Sequence, residues 1–459
     1  MESRLSEPAF LWLDARFRVI WIIFTDKTWR NMKTRYLILT AALFAAACEK
    51  PQNEVVLDEA FAIEQPAPQA ALTRVALDER QQGFVREGNK MSFRVLRQLS
   101  QENKGSFVCS PLSLQLALAM TANGAEGETL QEMLDVLGYG HEGMGALNAY
   151  ARVLIEQLPA VDLDVTLKMA DAILVTDKYP LKESFRKVLR EYYYAPAASM
   201  SFDDKSKVLE QVNGWARRNT EGLIDPMLDD VNPNAAAFLM NALYFKARWQ
   251  GGDRDPMFNS EFTREDDFFK ADGSRKKVPY MVSGRYFPYA DLGDFEVVAL
   301  PYASGKFFFY ILLPKKNDGL DALVKALPDV SWNNLISKLQ SHAQVYQRMP
   351  KFEVSGDFLL NEALKALGMR RAFDDFAAEF DGMFDGDTPG FYISRVLQKA
   401  KMSVAEWGTE AAAVTVVEMT EKSSLPEKVV NFVADHPFVF VIGEQESGTI
   451  LFEGVYSGD

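Results

Sequence analysis

The chain is expected to fold as one large α+β domain, and three observations predict it. Its 459 residues are 48% hydrophobic, enough to bury a large core, and no evident linker interrupts roughly the last 380 of them. Apolar residues recur at helical spacing through the first half, whereas β-branched and aromatic runs dominate beyond Ala236. Helices first and strands later argue for α+β with antiparallel sheets.

The N-terminal stretch reads as a targeting segment. Met32-Lys33-Thr34-Arg35, the apolar run Tyr36 to Ala47 and then Cys48 have the basic start and short hydrophobic core of a secretory signal. The run is too short to span a bilayer, which takes about 20 apolar residues. Ala45-Ala46-Ala47-Cys48 resembles a bacterial lipobox, with Ala where Leu is usual. That resemblance implies a signal over residues 32–47, a lipid on Cys48, and an exported chain anchored in the bacterial envelope, facing either the periplasm or the cell surface. Residues 1–31 are then an upstream mis-start of translation or an extended leader. Residues 48–83, with Pro51, Pro66 and Pro68 among polar neighbours, read as a tether, and the domain is expected over residues 84–459.

Within that domain Phe84, Phe93, Val95, Leu96 and Leu99 mark an amphipathic helix, and Leu112, Leu116 and Ala119 the next. A helix from Leu359 to Leu367 is expected to stop at Gly368. Strands are expected at Phe295 to Leu300, Phe307 to Leu313, Val429 to Val433 and Phe438 to Ile442.

Enzyme chemistry finds little footing. The chain has no G-x-S-x-G, H-E-x-x-H, phosphate-cradling glycine loop or metal-spaced Cys/His cluster, so neither enzyme activity nor a cofactor is expected. The histidines are His141, in a glycine-rich turn, His342 and His436. Apart from Cys48 the one cysteine is Cys109, whose apolar context reads as a small core residue rather than a nucleophile. The acidic stretch Asp374, Asp375, Glu379, Asp381, Asp385 and Asp387 misses calcium-loop spacing and reads as a solvated turn. A net charge of −14 argues against nucleic acid, which needs a basic face.

The most informative segment runs from Glu406 to Met419. As a strand it sorts Thr409, Ala411, Ala413, Thr415, Val417 and Met419 to one face, and Glu406, Glu410 and Glu418 to the other. Its alanines would equally suit a helix or an exposed loop, so propensity leaves it with two homes.

This segment, GTEAAAVTVV, resembles the reactive-loop hinge of the serpins, the serine protease inhibitor family. Four more stretches agree in order and spacing over roughly residues 80 to 459: Phe107 to Leu134 looks like the first buried helix, and Val212 to Asp225 like a helix ending in a Thr-x-Gly-x-Ile turn. Phe238 to Trp249 resembles a central strand, and Phe432 to Tyr456 the C-terminal hairpin. The resemblance implies helices packed on three largely antiparallel sheets, an exposed reactive loop, and a monomer. It also implies suicide-substrate inhibition of serine proteases, with cysteine proteases as a second class. The protease would attack the loop, become acylated, and be carried across the molecule as the loop inserts into the central sheet.

Residue by residue, the resemblance implies a hinge of Glu406, Gly408, Thr409, Glu410, Ala411, Ala412 and Ala413. Ser110, Ser113 and Asn241 match the polar shutter beneath the sheet, and Trp249 matches the tryptophan of the breach. Gln398 stands where the family usually has a shutter histidine, Trp407 replaces a usually charged residue, and His436 before Pro437 matches a variable surface position of the hairpin. Counting sixteen residues on from Glu406 selects the bond Lys422–Ser423, implying a trypsin-like target; Glu421 or Ser423 would follow from a slip of one, and Met419 would leave a shorter tether. No lysine-rich patch suits a polyanion activator. Two rivals stay open: a non-inhibitory serpin acting as carrier or chaperone, and a hydrolase without a recognisable motif.

Overall fold

The computed structural model describes residues 67–68, 70–140, 142–252, 255–339, 344–386, 390–409 and 429–459. Cys48 with the signal and leader, His141, His342, Asp387, the hinge residues Glu410 to Ala413 and the bond Lys422–Ser423 lie outside them.

Helix α1 (Glu79–Glu102) opens on a capping box in which Gln81 N donates to Asp78 Oδ1 at 2.8 Å and Asp78 N donates to Gln81 Oε1 at 3.1 Å. It buries Phe84, Phe93, Leu96 and Leu99, the expected stripe. The domain nevertheless begins before residue 84: Leu72 N donates to Ala160 O at 2.7 Å and Val75 is buried. The expected domain boundary at residue 84 therefore falls too late. Apolar spacing locates a helix by its buried face, whereas its start is set by the cap.

Strand β1 (Phe107–Cys109) leads into α2 (Pro111–Ala122), which starts with Ser110 as cap and a proline in its first turn; all twelve residues of α2 are buried. A helix apolar on every side belongs at the centre of a core. Then come α3 (Gly127–Leu137), α4 (Met144–Gln157), β2 (Thr166–Thr176), α5 (Glu183–Val188), β3 (Ala197–Met200), α6 (Lys205–Asn219) and β4 (Ala237–Arg248). The second half is mainly strand: β5 (Arg264–Phe269), β6 (Arg275–Tyr286), β7 (Tyr289–Asp291), β8 (Phe295–Pro301) and β9 (Phe307–Pro314). Helices α7 (Leu320–Ala326) and α8 (Trp332–Ser337) precede β10 (Gln344–Pro350) and β11 (Phe352–Leu359). Helix α9 (Asn361–Leu367) is followed by β12 (Arg395–Ala405), β13 (Gly408–Thr409), β14 (Val429–Val433), β15 (Phe438–Glu444) and β16 (Ile450–Tyr456).

Three sheets result, ordered β11-β12-β13-β4-β2-β3, β1-β16-β15-β9-β8-β7 and β14-β10-β6-β5. Pairing is antiparallel except at β2–β3, β10–β14 and β12–β4. Helix α2 packs against β2, β4 and β16, placing its first turn under the first of these sheets.

Two expectations need correction. Leu359 closes β11 and the helix starts at Asn361, because the alternating burial of β11 runs through Leu359. His436, which the resemblance placed at a variable surface position, is buried; its Nε2 lies 2.6 Å from Pro314 O and its Nδ1 2.9 Å from Asp435 Oδ1. Two ring nitrogens with fixed partners make it a structural tie between β9 and the turn before β15.

Candidate functional site: the seam of the central sheet

The central sheet has a seam between β12 and β4. At one end the strands pair directly and in parallel, Arg395 with Phe238 and Val396 with Leu239. At the other end β13 lies between them, antiparallel to both: Gly408 pairs with Ala405 and Arg248, and Thr409 with Val404 and Ala247. The hinge thus already occupies the place of an extra strand for two residues.

Gly408 is required there. Its φ is +150°, and a Cβ would lie 2.0 Å from Ala247 O and 2.8 Å from Arg248 Cα, so no side chain fits. Thr409 follows with 2% exposure, and its hydroxyl lies 2.5 Å from the Tyr302 hydroxyl. Tyr302 stacks on Trp249, centroids 4.5 Å apart and planes 6° from parallel. Trp249 in turn donates from Nε1 to Ala405 O at 2.8 Å and from N to Trp407 O at 3.1 Å. Glu406 accepts from Thr263 Oγ1 at 2.8 Å and pairs with Lys351 Nζ at 2.9 Å. Partial burial pushes its carboxyl up, but the hydrogen bonds from Lys351, its own backbone and Thr263, with the Lys351 charge, outweigh this and hold it below the usual range.

Two residues beyond the parallel pairs, Gln398 on β12 and Asn241 on β4 are both tied to the first turn of α2. The Gln398 amide grips one peptide unit, accepting from Ser110 N at 3.0 Å and donating to Ser110 O at 2.7 Å. Ser110 Oγ donates to Leu451 O at 2.8 Å. Ser113 donates its hydroxyl to Asn241 Oδ1, and Asn241 Nδ2 donates to Ser113 O at 2.7 Å and to Asp171 Oδ1 at 2.6 Å. Both edges of the seam are therefore fastened to one helix end by buried, mutually satisfied polar groups.

Sequence reasoning missed Tyr302, Asp171, Thr263 and Lys351. Asp171 carried a signal, a lone acid in the apolar run Met169 to Val175; the other three become partners only through long-range pairing. Cys109 is buried as expected, but its thiol faces a buried carboxylic acid, Glu453 Oε1 at 3.8 Å. Burial and that carboxyl push the thiol up, which leaves it unreactive. Among the described residues no cluster of three or more His, Cys, Asp or Glu could hold a metal ion.

The family model for Serpin (serine protease inhibitor) matches residues 86–457. An uncharacterised serpin-like protein of Thermococcus kodakarensis is 31% identical over 368 residues, 80% of this chain and 83% of the relative. Serpin-Z1A of Triticum aestivum is 34% identical over 363 residues, covering 75% and 88% of the two chains. The crystal structure of tengpin, a thermophilic serpin in its native state, superposes with a TM-score of 0.76 at 28% identity, covering 87% of this chain and 99% of that one.

Proposed function

From the premise that the chain belongs to the serpin family, whose members are in general protease inhibitors rather than catalysts, we propose that it is a suicide-substrate inhibitor that traps its protease by loop insertion. The observation that carries this reading is the position of β13, whose two residues pair with both β12 and β4. In sequence, a strand continued past Thr409 would place the small side chains of Ala411, Ala413 and Thr415 on the same face as Thr409, a pattern that suits further insertion. Pairing about a dozen more residues, at roughly 0.5 to 1.5 kcal/mol for each hydrogen bond, gives a driving force on the order of 10 kcal/mol. The native state is then a kinetic trap, and loop insertion releases stored strain. Catalytic groups come from the attacked protease: it cleaves Lys422–Ser423, and its serine is left esterified to Lys422.

Incubation with trypsin tests this reading. An SDS-stable covalent complex is expected, with release of a C-terminal fragment beginning at Ser423; a different first residue redraws the register. Cleavage without any complex overturns the proposal in favour of a non-inhibitory role, as in thyroxine-binding globulin, whose structure with thyroxine has the same fold. Anchoring through a lipid on Cys48 rests on the sequence alone. It predicts a mature mass starting at Cys48 with an acyl addition, and residues before Cys48 retained in the exported chain would overturn it.

A further inference from the structure

Beneath the seam lies one ionisable group that inhibition by itself does not need. Asp171 stands in the middle of β2, directly opposite Asn241, and is 3% exposed. Its Oδ1 accepts from Asn241 Nδ2 at 2.6 Å. Asn241 spends its other amide hydrogen on Ser113 O and its oxygen on the Ser113 hydroxyl. The carboxyl is thus the outer link of a chain that runs from β2 through the seam edge to α2.

Among the described residues no charged group acts on the Asp171 carboxyl, and the adjoining strand β3 has no ionisable side chain. Helix α2 presents Ser113, β4 presents Asn241, and the turn Leu189–Tyr193 presents Tyr193, a phenol that burial keeps protonated and whose hydroxyl donates to Asn148 Oδ1 at 2.7 Å. Leu158–Ala160, which packs on β2, has no ionisable side chain. Helix α6 packs on the opposite face, against Ala172 and Leu174. Burial pushes the Asp171 carboxyl up to about 7, against the opposing pull of the Asn241 hydrogen bond. An ionised carboxylate there would be a buried charge with no cation.

We propose that Asp171 is a positioning residue which, as a neutral acid, keeps Asn241 fastened to α2, and that opening the seam is coupled to release of its proton. The consequence for loop uptake rests on the inhibitory reading above; the latch itself does not. The sign follows from the two proton counts. In the closed sheet the carboxyl keeps its proton up to about pH 7, whereas in an opened sheet that admits water it ionises in the ordinary range near pH 4. Between those values the closed sheet holds one more proton, so it is most secure in acid and loosens as pH rises toward 7. Above that the effect is complete.

The test uses the full chain without protease. The rate of denaturant-induced opening, followed by tryptophan fluorescence, should rise on the order of tenfold between pH 5.5 and 7.5, because each pH unit across which one proton is lost is worth up to about tenfold. Asp171→Asn keeps the shape and removes the proton, and should flatten the profile across that range. Asp171→Ser serves where the asparagine variant does not fold. Glu453 is the other fully buried acid near α2 and burial pushes its carboxyl up as well, so the slope due to Asp171 is read as the difference between the wild type and Asp171→Asn, in which the Glu453 contribution cancels. A flat wild-type profile overturns the proposal, as does an unchanged slope in Asp171→Asn. Complex formation with trypsin, measured separately at pH 8, separates the two readings: no complex with the slope intact removes inhibition and leaves the latch, while complex without the slope removes the latch alone.

Discussion

The two ends of one seam are fastened by different chemistry. At the parallel end, Gln398, Ser110, Ser113 and Asn241 form a buried network of neutral groups in which each removal strands another. At the hinge end the polar contacts are a hydroxyl pair between Tyr302 and Thr409, the bonds from Trp249 to Ala405 O and Trp407 O, and those of Glu406 to Thr263 and to Lys351, whose side chain is 46% exposed. Only the aromatic frame of Trp249 and Tyr302 is stiff there. Under the inhibitory reading, a seam fastened so differently at its two ends should open first at the hinge end, where β13 stands.

Substitutions can break that contrast, and the largest effect is expected from Thr409→Arg. An unpaired charge placed in a site with 2% exposure should expel the hinge, lowering the yield of covalent complex by at least about tenfold while cleavage continues; undiminished yield would remove β13 from the mechanism. Trp249→Ala takes out the stack and the Nε1 bond to Ala405 O, and should lower stability by about 3–5 kcal/mol in thermal unfolding. Asn241→Ala strands Ser113 and Asp171 and should cost about 1–3 kcal/mol. Tyr302→Phe deletes one hydroxyl and should cost about 0.5–1.5 kcal/mol. If Tyr302→Phe proves costlier than Asn241→Ala, the proposed order of opening is reversed.

The smallest effect sharpens the same contrast through pH. The Glu406 carboxyl is held below its usual range, so its contribution is present above about pH 4 and is lost as pH falls through its lowered native value. That direction is opposite to Asp171. Lys351→Met should cost about 1 kcal/mol or less because the lysine side chain is 46% exposed, and should shrink the acid-side loss in a stability titration, with Thr263 and the backbone still holding Glu406.

Much of this was legible in the sequence for a physical reason. Alternation of small and acidic residues from Glu406 on follows from strand geometry alone, and the apolar stripe of α1 and the β-branched runs of β8, β9 and β15 are local signals of the same kind. Residues whose roles arise from pairing across hundreds of positions left no local trace: Tyr302 meets Thr409 only because β13 enters beside β4, and His436 is buried only because β9 passes over it. Asp171 lies between these cases. Its lone charge in an apolar strand marked it as unusual, but only the register opposite Asn241 gave it a partner.

The hairpin of β15 and β16 has a consequence for synthesis. These strands lie between β1 and β9, with Val455 pairing with Phe107 and Glu453 with Cys109. Strands β15 and β16, which follow all the other described strands in the chain, therefore supply the middle of a six-stranded sheet, and among the described residues β1 pairs only with β16. A growing chain must keep the apolar segments of this sheet from aggregating until β15 and β16 have been made. A chain truncated before Ile450 would lose β16, not a dispensable tail, and should fail to reach the native state at all.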